Sequence, residues 1–132
     1  MVKCHVHGFA IAPKCQAQLE EIKRITEDVF ALVDSEKESE AAELKPSRQG
    51  FVEACEKAGI NIHVTKFRAT ENYFTAEAIQ KVMTEKHRAL KPFERLKDVD
   101  PHWNKNENWR IAWEMSRSDL RGTDLGDFLD AL

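Results

Sequence analysis

The sequence contains no apolar run near the ~20 residues needed to cross a bilayer, and no signal-peptide core at its start. Its three cysteines, Cys4, Cys15 and Cys55, are odd in number, lie far apart and include no Cys-x-x-Cys spacing. These features argue against a disulfide framework. We therefore expect a cytoplasmic protein with reduced thiols and no membrane partner.

The chain also lacks a strong net charge and the short motifs of several enzyme classes. A formal net charge of −3 argues against a general nucleic-acid binder, so phosphate binding would need local cationic clusters and a metal. There is no Gly-x-Ser-x-Gly motif, no Walker loop and no Cys/His nucleophile pair. A length of 132 residues, with 42% apolar and 33% charged residues, is typical of one globular domain, here residues 1–132.

The first half alternates between strand and helix patterns. A strand is expected over residues 2–7, a helix over 13–24, and a second strand over 29–33, whose unbroken apolar run predicts burial on both faces. A polar segment over 35–49 predicts an exposed loop that turns helical before Phe51. This helix stops at Gly59, and a half-buried strand follows over 60–64. The order predicts an α/β fold with a small, mainly parallel sheet flanked by helices.

The second half predicts helices without further strands. Thr75 and Thr123 are candidate N-caps, and helical spacing also covers residues 108–115. An irregular charged connection, with a short helix near 93–96, is expected over residues 84–108. Trp109 and Trp113 lie four residues apart on a predicted helix, so core packing is favoured over base stacking.

Carboxylates follow the predicted strand 29–33 directly. Asp34, Glu36 and Glu38 are spaced by two, so an extended segment places them on one side. Ligands of parallel sheets bind beyond the carboxyl ends of the strands. Because Mg²⁺ prefers oxygen ligands and relieves repulsion among crowded carboxylates, the pattern predicts a magnesium site. The alternative is an acidic, solvated loop.

A second polar group follows the predicted strand 60–64. Glu71 would add a carboxylate for a second ion, while Lys66 and Arg68 would bind phosphate oxygens. The alternative is a helix N-terminus, with Glu71 complementing the dipole and aromatic side chains packed beneath.

Two further patterns favour structural interpretations. His5 and His7 share one strand face but have no third metal ligand nearby. A basic run is expected to be solvated surface, since acidic residues are mixed into it. Its members are Lys81, Lys86, His87, Arg88, Lys91, Arg95 and Lys97.

Together these segments resemble a TOPRIM domain, the metal-binding fold of topoisomerases, primases and some nucleases. In that family a strand is followed by a glycine and a helix, and a second apolar strand ends in Asp-x-Asp; here Gly8 and Asp34-Ser-Glu36 occupy those places. The sequence Glu71-Asn-Tyr73 is similar to an element of the OLD (overcoming lysogenization defect) ATP-dependent endonucleases. The segments Asn108-Trp-Arg-Ile-Ala and Thr123-Asp-Leu-Gly-Asp-Phe-Leu also resemble the tails of such proteins.

The resemblance implies a Rossmann-like TOPRIM fold with a helical C-terminal part, and metal-dependent hydrolysis of nucleic-acid phosphodiesters with Mg²⁺ or Mn²⁺. It implies Lys66 and Arg68 as phosphate ligands, and a catalytic Lys105, because OLD-like nucleases use a late lysine. The implied catalytic carboxylates are Asp34, Glu36 and Glu71, and the expected metal ligands are these three and Glu38. The implied partner is a nucleic acid, more often DNA, or an upstream ATPase or TOPRIM chain.

The chain departs from the family pattern in two places. It has Asp-Ser-Glu in place of Asp-x-Asp, and no opening strand with a Glu-Gly motif precedes Val2. We therefore expect a fragment or degenerate copy that completes its sheet by forming a homodimer or by strand addition. The missing glutamate also favours an alternative function, a non-catalytic TOPRIM-derived interaction or DNA-binding module.

Overall fold

The computed structural model describes residues 13–132, with side chains from residue 16 onward, as two compact units. The first unit comprises the described part of Met1–Val33 together with Glu43–Val64, and the second comprises Asp34–Ala42 and Thr65–Leu132. The strand predicted over 2–7, with His5 and His7, lies outside the described residues. No helix in the described range is both long and apolar enough to cross a membrane.

The first unit contains the predicted parallel strand pair. Helix α1 (Pro13–Ile25) precedes strand β1 (Phe30–Val33), and helix α2 (Pro46–Lys57) connects it to strand β2 (Asn61–Val64). The two strands pair in parallel, in register from Phe30–Asn61 to Val33–Val64. The predicted helix and strands, and the α/β class, are therefore confirmed.

Two details of the first unit differ from the predictions. Helix α2 already begins at Pro46, whose missing N–H is not needed at a first helical position. The prediction that β1 is buried on both faces is wrong for the described residues, because Phe30 is 37% exposed and only Val33 is buried.

Gly59 has a φ of +73°, which confirms its predicted role at the end of α2. The core of this unit consists of Leu19, Val33, Phe51, Ala54, Cys55 and Ile60.

The second unit contains three short α-helices among its described residues, α3 (Ala76–Val82), α4 (Asn108–Glu114) and α5 (Asp124–Asp130). The predicted caps are confirmed: Thr75 Oγ1 accepts from Ala78 N–H, and Thr123 Oγ1 from Gly126 N–H. Residues 84–108 are irregular apart from short 3₁₀ turns, as predicted, one of them over Leu96–Asp98. The core consists of Phe74, Ala78, Ile79, Leu90, Leu96, Val99, Trp103 and Ile111, so the irregular segment supplies half of it.

Side-chain burial corrects the predicted role of the tryptophans. Ile111 is fully buried on α4, whereas Trp109 and Trp113 are 69% and 84% exposed. Core packing of Trp109 and Trp113 is therefore wrong, because the helix turns a different face toward the core. Within the basic run most members are exposed as predicted, but His87 is buried and contacts Thr84.

Candidate functional site

The segments that follow β1 and β2 in the chain are joined within the second unit. Ser35 N–H donates to Thr65 Oγ1 at 3.0 Å, and Ser35 Oγ–H donates to Phe67 O at 2.8 Å. Both hydroxyl residues are almost completely buried. Glu36 N–H adds a backbone bond to Arg68 O at 2.8 Å. The two segments that carry the predicted site residues therefore lie side by side.

Asp34 and Arg68 fix the local backbone of these segments. Asp34 Oδ1 accepts from Thr70 N–H at 2.9 Å. Arg68 Nη1 donates to Glu36 O and Lys37 O, each at 3.1 Å. Glu36 itself has a φ of +53°, a left-handed conformation that costs a non-glycine residue about 1–2 kcal/mol. The Arg68 bonds hold the acidic segment in this strained conformation.

A cavity of about 390 Å³ lies in the second unit. Its lining includes the carboxylates Glu36, Glu71 and Glu94, and its cations outnumber them. The cationic side chains are Arg68, Arg95, Lys97 and Lys105, and His102 and Trp103 also contribute. A volume of this size accommodates a small ligand, and the cationic excess favours an anionic one.

Glu71 is the most buried charge in this cavity. It is 4% exposed, and its Oε1 lies 3.0 Å from Lys105 Nζ. Asn108 Nδ2 donates to Glu71 Oε2 at 3.5 Å, and Asn108 Oδ1 accepts from Trp103 Nε1–H at 2.8 Å. A buried carboxylate is stable only when paired, and this network supplies the partners of Glu71. It also joins two predicted catalytic residues, Glu71 and Lys105, that are distant in the sequence.

The remaining predicted site residues lie outside the cavity lining. Lys66 is exposed, and its N–H donates to Asp124 Oδ2 at 2.9 Å. Glu38 is exposed and forms an ion pair with Arg95, while the Asp34 carboxylate contacts Thr70 as described. The phosphate-binding role of Lys66 stays a prediction.

Within residues 13–132, no group of three or more His, Cys, Asp or Glu side chains is placed so that it could hold a metal ion. The four predicted ligands therefore do not form one such group. Two of them, Glu36 and Glu71, line the same cavity.

Several cavity residues were missed by reasoning from the sequence. Arg95 and Lys97 belong to the basic run that was interpreted as surface, although both line the cavity. Asn108 was named only as part of a predicted helix and of a tail-like segment, yet it bridges Glu71 and Trp103. The spacing of Lys105 and Asn108, one helical turn apart, was the available signal.

Tyr73 and Asp124 anchor the second segment to α5. Tyr73 O–H donates to Asp124 Oδ1 at 2.7 Å and accepts from Phe67 N–H at 3.0 Å. Burial, followed by the effect of the Asp124 carboxylate, raises the pKa of Tyr73 above its usual value. The phenol therefore stays protonated and remains a donor. The phenol ring also stacks on Phe67, with centroids 4.4 Å apart.

Arg88 and Glu94 form a bidentate ion pair beside the cavity. Nη1 and Nη2 of Arg88 donate to the two Glu94 oxygens, each at 2.8 Å. These bonds and the Lys91 N–H lower the pKa of Glu94 from 4.5 to about 2. The same pairing raises the pKa of Arg88.

We expect this pair to make stability depend on pH in the acid range. A lowered folded-state pKa means that the unfolded chain binds the proton more readily, so the stabilisation is complete above about pH 4.5 and is lost as the pH falls toward 2. Urea unfolding of the wild type and Glu94→Gln at several pH values measures this. The stability difference should shrink as the pH falls from 4.5; a constant difference would contradict the assignment.

Comparison with known protein families, curated proteins and solved structures finds no significant match to this chain. The class that the structure defines is an α/β protein with a small parallel sheet.

Proposed function

We propose that the chain is a TOPRIM-like domain of a metal-dependent nucleic-acid phosphodiesterase, and that a phosphodiester binds in the cavity of the second unit. The observation that carries this proposal is the buried Glu71 paired with Lys105 in a cavity whose lining holds four cationic side chains and three carboxylates. The proposal is further supported by the motif resemblance, since Glu36, Arg68, Glu71 and Lys105, all implied by it as site residues, line the cavity.

A divalent cation in this cavity would be held by Glu36 and Glu71, which both line it. Mg²⁺ usually takes one or two carboxylates from a protein and completes its shell with water and phosphate oxygens. Glu36 and Glu71 supply that number, and Mn²⁺ accepts the same ligands. When bound, such an ion polarises the phosphate and lowers the pKa of an attacking water.

The protein's own side chains would position the phosphate. Arg68 is held by two backbone carbonyls, so its guanidinium is preorganised and loses little entropy when it contacts a phosphate. Lys97 and Arg95 add positive charge to the same lining. Lys105, whose side chain is 65% exposed, would stabilise negative charge that develops on the phosphate oxygens.

A second candidate function, a non-catalytic nucleic-acid-binding module, is favoured by a separate observation. Glu71 is already neutralised by Lys105, and the described residues contain no group of three metal ligands. Such a module would use the same cationic lining to bind phosphate and would not cleave it.

Glu36→Gln tests the catalytic proposal and leaves in place the two bonds that the main chain of this residue forms with Arg68. We expect nicking of supercoiled plasmid with Mg²⁺ or Mn²⁺ to fall by about 100-fold, as for loss of a group that stabilises transition-state charge. Gel-based initial rates measure this effect.

Glu40→Gln is the matched control, since it makes the same charge change at an exposed residue of the same segment. Equal rates for Glu36→Gln and the wild type would refute the catalytic role of Glu36. An inactive wild type that binds oligonucleotide, with weaker binding in Lys97→Ala, would favour the non-catalytic module.

A further inference from the structure

Helix α4 presents an aromatic face that the core does not use. Trp109 and Trp113 are one helical turn apart and therefore share a side of the helix. They are 69% and 84% exposed, while Ile111 on the buried side is fully covered. Ala112 is also exposed between them. Exposed tryptophans are unusual enough in a small unit to need an explanation.

Asn108 connects the start of this helix to side chains that line the cavity. Asn108 is the first residue of α4 and bonds to both Glu71 and Trp103, which line the cavity. Lys105 lies in the 3₁₀ turn Lys105–Glu107 that leads directly into the helix. Trp109 is thus next in sequence to a residue of the cavity network, and Trp113 follows about 6 Å farther along the helix axis.

The size and surroundings of the face argue against a protein partner. Two aromatic side chains bury at most about 500 Å², whereas a stable interface needs about 800 Å² from each partner. Charged side chains also lie on this helix beside the tryptophans. Arg110 pairs with Glu107, and Glu114 lies 3.9 Å from Lys81. The centres of protein interfaces are depleted in charge, whereas surfaces that bind nucleic-acid strands combine aromatic rings with positively charged side chains such as Arg110.

We propose that Trp109 and Trp113 form a stacking platform for unpaired bases of a single-stranded nucleic acid whose backbone enters the adjacent cavity. This inference rests on the proposed function and specifies its substrate as a single strand. A duplex hides its base faces within the stack, so it cannot place them on the rings. Lys105, at the junction of platform and cavity, would contact the phosphate that connects the two.

Binding of a fluorescein-labelled twelve-nucleotide oligothymidylate to the full chain, measured by anisotropy, tests the platform. Trp113→Leu keeps an apolar side chain but removes the ring, so affinity should fall about 5- to 150-fold, the range for loss of one stacked base. Trp113→Phe keeps a ring and should stay within about threefold of the wild type. The same two comparisons apply at Trp109.

Leu132→Ala is the matched control, because Leu132 is an exposed apolar residue elsewhere in the unit; it should bind like the wild type. A duplex of the same length should bind more weakly than the single strand and respond little to Trp113→Leu. Equal losses in the Leu and Phe variants, or equal losses for duplex and single strand, would overturn the platform.

Lys97→Ala separates this inference from the proposed function. Weaker oligonucleotide binding in Lys97→Ala but not in Trp113→Leu would support phosphate binding in the cavity and refute the stacking proposal. Weaker binding only in the tryptophan variants would support stacking and refute phosphate binding in the cavity. A wild type that binds no oligonucleotide but self-associates through Trp113 would refute both and identify a contact between copies of the chain.

Discussion

Glu71→Gln should lower metal-dependent cleavage of plasmid by at least about 100-fold, the largest functional effect expected of any single change in this protein. Glutamine keeps the shape of the side chain and an oxygen that accepts from Asn108 Nδ2. It removes the negative charge that pairs with Lys105 and that would bind a cation. Initial cleavage rates with Mg²⁺ and Mn²⁺ measure the loss, and circular dichroism confirms that the fold is kept.

Glu107→Gln is the appropriate control, because Glu107 lies in the same 3₁₀ turn as Lys105 but pairs with Arg110 and does not line the cavity. It should leave the cleavage rate within about twofold of the wild type. A Glu71→Gln protein that cleaves as fast as the wild type would exclude a catalytic role for this carboxylate. The non-catalytic module would then be the better description.

The two partners of the Glu71–Lys105 ion pair should differ in how much their loss destabilises the protein. Removing Lys105 leaves the buried Glu71 carboxylate uncompensated, so the change costs more than the ion pair itself contributes. Lys105 is largely exposed and regains water when its partner is lost, whereas Glu71 without Lys105 stays buried. Lys105→Met should therefore destabilise the protein more than Glu71→Gln does, although both remove the same ion pair.

The parts of the fold that the sequence predicted were those set by local rules. Helices α1 and α4 and the strand pair follow from apolar spacing, and the caps at Thr75 and Thr123 follow from residue type. The tryptophans of α4 show the limit of this reasoning. Spacing places two residues on one helix face, but only the tertiary structure decides whether that face meets the core.

The candidate site was predictable only in part, for a related reason. Asp34, Glu36, Arg68 and Glu71 lie next to strand ends, where topology alone suggests a site. Residues 84–108 carry no periodic signal, so Arg95 and Lys97 looked like solvated surface, although this irregular segment contributes to both core and cavity. Long-range contacts such as that of Glu71 with Lys105 have no local pattern, and here the family resemblance singled out Lys105.

Gly126→Ala should produce the largest loss of stability, about 3 kcal/mol, through helix α5. A Cβ at this position would lie 2.1 Å from the backbone oxygen of Leu120 and 2.9 Å from its carbonyl carbon. A backbone carbonyl cannot rotate away as a side chain can, so α5 must move. Asp124, two residues earlier, holds Tyr73 and Lys66 N–H. Displacing it should therefore loosen the segment that presents Arg68, and oligonucleotide binding should weaken together with urea resistance.

Gly122→Ala is the matched control, because a Cβ there would meet nothing within 4 Å and only its φ of +79° opposes the change. The expected cost is about 1 kcal/mol, without an effect on oligonucleotide binding. Asp124→Asn then separates the two consequences of Gly126→Ala, because its single oxygen cannot accept from both Tyr73 O–H and Lys66 N–H, while Gly126 itself is unchanged. If Gly126→Ala unfolds at the same urea concentration as Gly122→Ala, then α5 tolerates displacement. The Tyr73–Asp124 contact would in that case not be what holds the Arg68 segment.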